Sequence, residues 1–259
     1  MTEDEIILTH ILQCRPIDLA LNSPALTVPQ QEQFEDYKRR RAEGEPLQYI
    51  LGTCNFMGLE LAVNPSVLIP RPETEQLVDG ALKCFKGGRA LDLGTGCGNI
   101  AIALAKFVPR SQIVSVEISP EALKIARTNA RSHLVEDRIE FIQADMAVSL
   151  RTAEQRNNLF DLIISNPPYI STSQLSSLPQ DVQEEPARAL DGGEDGLNFY
   201  RIIIKYTPCL LRGGACLMME FGDGQAQALK ELVKAQETFS SIEIIQDLAG
   251  RDRVIKAIL

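Results

Sequence analysis

The chain predicts an α/β fold: a mostly parallel sheet of seven strands with an antiparallel hairpin at its C-terminal edge, preceded by a small helical unit. From about residue 71, short apolar runs alternate with stretches of helical periodicity. Strands joined through helices lie parallel and carry the helices on both faces of the sheet. The last two apolar runs, 241–247 and 253–258, are too close for a helical crossover, so they are expected to pair antiparallel. Residues 1–48 show helical spacing alone.

In that first part Ile6, Ile7, Ile11 and Leu12 recur at helical spacing, as do Phe34, Tyr37 and Lys38 after Val28-Pro29-Gln30. Between 49 and 70, Gly52, Gly58, Asn64 and Pro65 punctuate short apolar runs, the pattern of a connecting hairpin. Pro72 is a good first-turn residue, and Glu73 and Glu75 suit the positive end of the helix that follows through Leu77. The expected elements are then strand 89–93, helix 98–107, strand 112–117, helix 120–132, strands 138–143 and 160–165, helix 197–207, strand 214–220, helix 224–237 and the closing pair. The division is therefore a helical unit at 1–48, a connecting hairpin at 49–70 and a main domain at 71–259. The stretch from Ile170 to Gly196 is long and polar, with Pro179, Glu184, Glu185, Pro186 and an Asp191-Gly192-Gly193 turn; loops of that length usually serve function.

The formal net charge of -9 and a pI near 4.9 argue against a protein that grips nucleic acid by neutralising phosphates. The basic run Lys38, Arg39, Arg40, Arg41 reads first as a solvated helix face. The six cysteines, at 14, 54, 84, 97, 209 and 216, form no C-x-x-C pair and have no neighbouring histidine, so no metal site is expected. No apolar run approaches the roughly 20 residues of a membrane helix, and the acidic start MTEDEIILTH lacks a basic leader region. A cytoplasmic monomer is the expectation.

The segment Leu91-Asp92-Leu93-Gly94-Thr95-Gly96-Cys97-Gly98-Asn99-Ile100-Ala101 joins an apolar strand to an apolar helix through closely spaced glycines. Glycines there let the backbone turn sharply and a ligand approach closely. The G-x-G-x-G spacing differs from the dinucleotide fingerprint and favours a ligand without phosphate. Glu117, ending the next strand, can accept hydrogen bonds from both hydroxyls of a ribose. Asp145, ending the third, can accept from an adenine amino group while Met146 packs on the ring. Taken together the set suits an adenosine attached to an amino acid. An NAD-linked oxidoreductase would need the other glycine spacing and an acid or base for hydride transfer; His10 and His133, the two histidines, lie near no strand end.

Asn166-Pro167-Pro168-Tyr169 follows the apolar strand Leu162-Ile163-Ile164-Ser165, which puts it at the same carboxyl edge. The prolines stiffen the backbone and leave carbonyls with no competing N–H, and Asn166 adds a side-chain acceptor. Such a pair of oxygens can accept the two hydrogens of a planar amide or amino group, aim its nitrogen at a methyl sulfonium and stabilise the positive charge that develops. Tyr169 can pack flat on the group and hold it in line.

Those segments, together with GEPLQYILG (44–52), LIPRPETE (68–75) and EEPARALDGGEDGL (184–197), resemble the signatures of the HemK-type protein-(glutamine-N5) methyltransferases along nearly the whole chain. The resemblance implies a Rossmann-like class I methyltransferase domain that uses S-adenosylmethionine to methylate the glutamine of the GGQ motif in class I peptide-chain release factors. It implies that Gly94, Thr95, Gly96, Cys97 and Gly98 surround the methionine part of the cofactor. It makes Glu117 the ribose ligand, Asp145 and Met146 the adenine contacts, and Asn166 through Tyr169 the glutamine clamp, Asn166 also touching the cofactor. Arg71 and Thr74 would close over the cofactor and Phe56 would line the glutamine entrance. Three departures stand out: Cys97 replaces the commoner Ser or Thr, Met146 replaces a frequent aromatic, and the N-terminal unit is about one helix shorter. The alternatives are glutamine methylation of a ribosomal protein, amino-N-methylation of a nucleic-acid base, and a non-catalytic adenosine-binding module.

Overall fold

The structure is a computed structural model that describes residues 1–22 and 25–259. Helices α1 (Glu3–Leu12), α2 (Pro16–Asn22), α3 (Val28–Ala42) and α4 (Leu47–Leu51) come first. Thr2 and Glu5 close a reciprocal capping box on α1, which satisfies backbone N–H groups that have no partner inside the helix. The basic run on α3 is paired with nearby acids: Lys38 with Asp4, Arg39 with Asp36 and Glu43, Arg40 with Glu45, and Arg41 with Glu3. All four of these cations are thus ion-paired, two of them with acids on α1.

The expected hairpin is β1 (Thr53–Phe56) and β2 (Leu59–Ala62), antiparallel, with Phe56 opposite Leu59. Met57 and Gly58, at φ 52 and 77, form the tight turn whose twist matches the strands. The helix α5 (Pro72–Cys84) starts at its proline, and the main sheet follows.

Its elements are β3 (Gly88–Leu93), α6 (Asn99–Phe107), β4 (Ser111–Glu117), α7 (Pro120–Ser132), β5 (Ile139–Gln143), α8 (Met146–Gln155), β6 (Phe160–Ser165), α9 (Gln180–Gln183), α10 (Ala187–Leu190), α11 (Asn198–Leu210), β7 (Leu211–Glu220), α12 (Ala226–Lys234), β8 (Ser241–Gln246) and β9 (Asp252–Ile258). The strand order is β5-β4-β3-β6-β7-β9-β8, parallel up to β7, with β9 antiparallel to both of its neighbours. The closing pair is antiparallel as expected, but the last strand inserts between β7 and β8. Alternation along β3 buries Ala90 among α5, α6 and α7, and Leu91 and Leu93 among α8, α11 and α12.

Two other expectations are corrected. Helix α8 stands where no helix was expected, nucleated by Asp145, whose carboxylate caps Ala147 and Val148 N–H. Helix α11 runs to Leu210 through Pro208, and β7 begins at Leu211, upstream of Gly213-Gly214. The polar stretch after Ile170 is compact, folded into short helical turns and pinned back by Ile170 N–H to Leu190 O and Gly192 N–H to Ile170 O. Because β4 lies on one side of β3 and β6 on the other, the chain reverses its winding there, and a crevice opens outside the carboxyl ends of those strands.

Candidate active site

The turn after β3 enters that crevice. Gly94 and Thr95 both donate to the Val116 carbonyl at the end of β4, and Gly98 donates to Thr95 O at 2.8 Å, so the loop folds on itself before α6 begins. Beneath it Asp92 is fully buried and accepts the Thr95 hydroxyl at 2.5 Å and the Ser115 hydroxyl at 3.4 Å. Among the described residues its other oxygen has no partner, and burial pushes the carboxyl up to about 7. A Cβ on Gly96, at φ 55, would meet no protein atom within 4 Å and would point into open space. A Cβ on Gly98 would instead press on Ile102 and Ala126, so that glycine serves helix packing.

The open space is a cavity of about 220 Å³ with mostly apolar walls, lined by Gly94, Gly96, Glu117, Asp145, Met146, Asn166 and Pro168 among others. Glu117 is fixed from the backbone: one oxygen accepts Gly96 N–H at 3.0 Å, the other accepts Ile118 and Ser119 N–H. Each carboxylate oxygen has two lone pairs, so the oxygen bound to Gly96 keeps capacity for a further donor. Asp145 spends Oδ1 on the α8 cap, and among the described residues nothing bonds its Oδ2 at the exposed rim. Acceptors at two strand ends, an apolar slot between them and Met146 on its floor fit a nucleoside.

A second cavity of about 200 Å³ adjoins the first, lined by Leu68, Arg71, Asn166, Pro167, Tyr169 and Ala189 among others. Leu68, Asn166 and Ala189 line both. Asn166 is tied from behind, its Nδ2 donating to the Thr74 hydroxyl at 3.0 Å. Among the described residues no protein donor takes Asn166 Oδ1 or the Pro167 carbonyl. Tyr169 lines the second cavity and is held by Gln225, whose Nε2 donates to the Tyr169 carbonyl at 2.9 Å. Burial raises the Tyr169 phenol well above its usual value, so it stays neutral.

Of the expected site residues, Gly94, Gly96, Glu117, Asp145, Met146, Asn166 and Pro168 meet at the larger cavity. Asn166, Pro167 and Tyr169 meet at the smaller one, whereas Pro168 faces only the larger. Thr95, Cys97 and Gly98 line neither; Thr95 and Cys97 are buried beneath the loop. Phe56 is placed differently from expectation. At 1% exposed it lies in the core with Leu61 and Val67 and lines neither cavity, because its position on β1 turns it inward. Thr74 lies behind Asn166, not over the nucleoside slot, and Arg71 borders the smaller cavity while ion-paired with the buried Glu185. Arg188 and Phe199, which complete the larger cavity, went unrecognised in the sequence; the polar loop and the EEPARAL string that carry or flank them were the available signal.

Comparison with known proteins accounts for both parts of the chain. A family model described as the PrmC N-terminal domain matches residues 2–52, and one described as a methyltransferase domain matches 85–248. The release factor glutamine methyltransferase of Moorella thermoacetica is 42% identical over 84% of this chain and 76% of its own length. That of Thermodesulfovibrio yellowstonii is 38% identical over 98% of this chain and 90% of its own. Among solved structures, the catalytic domain of hMettl16 in complex with an MAT2A 3'UTR hairpin shares the fold, with a TM-score of 0.62 at 16% identity over 90% of this chain and 81% of that one. The matched family models cover most of the sequence and the relatives span nearly all of it, so the chain belongs to the release factor glutamine methyltransferase family.

Proposed function

We propose that this enzyme transfers the methyl group of S-adenosylmethionine to the side-chain amide nitrogen, N5, of the glutamine in the GGQ motif of class I peptide-chain release factors. The observation that carries the reading is Asn166, set between the two cavities with Nδ2 tied to Thr74 and Oδ1 unclaimed. When bound, S-adenosylmethionine supplies a methyl group on a positively charged sulfur. In this reading Glu117 takes the ribose hydroxyls, Asp145 the adenine amino group, Met146 the ring, and Gly94 and Gly96 leave room for the methionine portion.

An amide nitrogen is a poor nucleophile because its lone pair is shared with the carbonyl. The smaller cavity answers this with two acceptors: Asn166 Oδ1 and Pro167 O take the two amide hydrogens, orient the nitrogen and stabilise the charge that grows on it. Tyr169 packs on the flat group, and since the donor is already activated, positioning supplies most of the rate. After transfer the nitrogen is acidic and sheds its extra proton to water.

In this reading residues 1–48 dock the protein substrate, 49–70 connect, and 71–259 carry the chemistry. The enzyme acts as a cytoplasmic monomer without stable nucleic-acid binding, a reading supported by its charge of -9 and the internally paired basic run on α3. No helix among the described residues is long and apolar enough to cross a membrane. The test supplies labelled S-adenosylmethionine with release factor, its GGQ-to-GGA variant, ribosomal proteins and total RNA. Label on the factor that disappears in the GGA variant is expected; label confined to RNA or to a ribosomal protein overturns the substrate, and label on nothing overturns catalysis.

A further inference from the structure

The oxygen and nitrogen of an asparagine amide are nearly the same size, so sterics do not decide which faces a substrate. Hydrogen bonding does. If Asn166 presented its NH2 to a substrate amide, donor would face donor and the clamp would fail. Its orientation rests on the Thr74 hydroxyl accepting from Nδ2. A hydroxyl has one hydrogen to give and can also donate, so something must fix Thr74 as the acceptor in this pair.

Thr74 sits on the first turn of α5 and is 1% exposed. Other helical threonines, Thr9, Thr128, Thr152 and Thr207, return their hydroxyl hydrogen to a carbonyl of their own helix. Thr74 makes no such bond, and its hydrogen remains to be placed. Glu220 ends β7; Ser165 on β6 registers with Met219, so Asn166 and Glu220 are the next pair along two adjacent parallel strands. The Glu220 side chain is 1% exposed, its Oε2 has no partner among the described residues, and Thr74 and Asn166 both pull toward its charged form. Its main-chain carbonyl accepts the Tyr200 hydroxyl at 2.7 Å, which anchors this end of the strand. A carboxylate has no hydrogen to give and accepts strongly. Beside Thr74 it draws the hydroxyl hydrogen toward itself and leaves the lone pair for Asn166.

We propose that Glu220 is a positioning residue for methyl transfer: it takes the Thr74 hydroxyl hydrogen, so that Thr74 accepts from Asn166 and Asn166 Oδ1 is held toward the substrate nitrogen. The role rests on the glutamine-clamp reading above. Burial pushes the Glu220 carboxyl up to about 7, Glu73 pushes the same way, and Arg253, itself paired with Asp223 and Asp247, opposes them. The neutral Tyr169 phenol lies close by. Protonated Glu220 becomes a donor, Thr74 is freed to turn its hydrogen on Asn166, and the clamp inverts. The rate of transfer therefore rises with pH as this carboxyl ionises.

The experiment follows label transfer to the release factor by wild type, Glu220→Ala, Glu220→Gln and Thr74→Val between pH 5.5 and 8.5, with S-adenosylmethionine affinity by calorimetry and thermal midpoints alongside. Glu220→Ala is expected to lower kcat about 10- to 100-fold, by analogy with the outer partners that orient the ligands of metal sites, with cofactor affinity within about twofold of wild type. Glu220→Gln, which like the protonated acid carries a donor beside its acceptor, is expected to stay near the acid-limb rate of wild type at every pH and so to lose the rise with pH. Thr74→Val should match Glu220→Ala; it also keeps the test open should Glu220→Ala not fold. Full kcat in Glu220→Ala, Glu220→Gln or Thr74→Val overturns the role, as does a wild-type profile without an acid limb or a loss explained by the unfolded fraction. Wild-type enzyme that labels no release factor sinks the function reading itself, and this role with it.

Discussion

Arg71, at the start of α5, is ion-paired with Glu185, 114 residues further along, and that carboxylate also accepts the Ile69 N–H at 3.1 Å. One nearly buried acid thus fastens the exit of the connector to the polar loop behind the smaller cavity. Burial raises the Glu185 carboxyl above its usual range against the pull of Arg71. Arg71→Ala is expected to destabilise the protein toward the lower end of the roughly 3–5 kcal/mol seen when a buried pair loses one member, since Arg71 itself keeps some solvent. Adding Glu185→Gln should return part of the loss, measured by denaturant unfolding. Strictly additive effects would show that the two side chains do not act as a pair.

Asn166→Ala should slow transfer far more than it weakens cofactor binding. The expected loss is about 2.7–4 kcal/mol in the barrier, as for other preorganised polar groups, read from single-turnover rates beside calorimetric affinity. Equal losses in both would move Asn166 from the clamp to the cofactor site.

Asp92 makes stability depend on pH. Its carboxyl is held at about 7 in the fold against an ordinary 3.8, so the native state binds its proton more tightly than the unfolded chain does. That contribution is fully present below the ordinary value and is lost as pH rises to about 7. Asn at this position keeps no titrating proton. The melting temperature of Asp92→Asn relative to wild type is therefore expected to rise from pH 4.5 to pH 7.5 and then level off. A difference flat across that range would show that Asp92 does not titrate as its burial implies.

Gly192 and Gly196 let the polar loop lie against the Asn-Pro-Pro-Tyr backbone. A Cβ on Gly192 would stand 2.8 Å from the Pro168 carbonyl oxygen and from Tyr169 Cα, and one on Gly196 would collide with the Tyr169 carbonyl. Gly192→Ala is expected to destabilise the fold by about 1–3 kcal/mol, the usual effect of overpacking, and to reduce transfer at least about tenfold, because small displacements of a positioned group are felt strongly. Gly213→Ala, where a Cβ meets nothing within 4 Å, serves as the control for both readouts.

Cys84 and Cys216 approach to 3.1 Å between sulfurs, bridging α5 and β7, and this contact lowers the Cys84 thiol to about 7. Cys84 is exposed, whereas burial pushes Cys54 and Cys97 up. At pH 7.5 Cys84 is expected to react with iodoacetamide ahead of the other cysteines, followed by peptide mass mapping. Faster labelling of Cys209, also exposed, would contradict it.

The residues that gather at the larger cavity were legible because their signals are local. Gly94 and Gly96 sit between an apolar strand and an apolar helix, and Glu117 and Asp145 fall at strand ends, so sequence position alone sends them to one edge. The place of Asn166-Pro167-Pro168-Tyr169 was legible for the same reason, since it follows β6 directly. What escaped depends on contacts across the sheet. Glu220 reads as the polar end of an apolar strand until β7 is seen beside β6, and Thr74, expected over the cofactor, is found against Asn166 instead. Phe56 misled because a short strand next to a turn gives too few residues to tell its inner face from its outer. The seven strands were countable, but the order β7-β9-β8 was not: an antiparallel pair can dock on β7 by either member, and the choice lies in side-chain packing.

That order bears on how the enzyme comes off the ribosome. Strand β8 is synthesised before β9 yet bonds only to it, so residues 241–246 leave the exit tunnel with no template to zip onto. Until β9 slides between them, β7 and β8 both offer bare main-chain edges, a state in which nascent chains are vulnerable to pairing with one another. The same late closure seals the strand that carries Glu220, so the enzyme acquires a finished catalytic edge only after its final strand has been delivered.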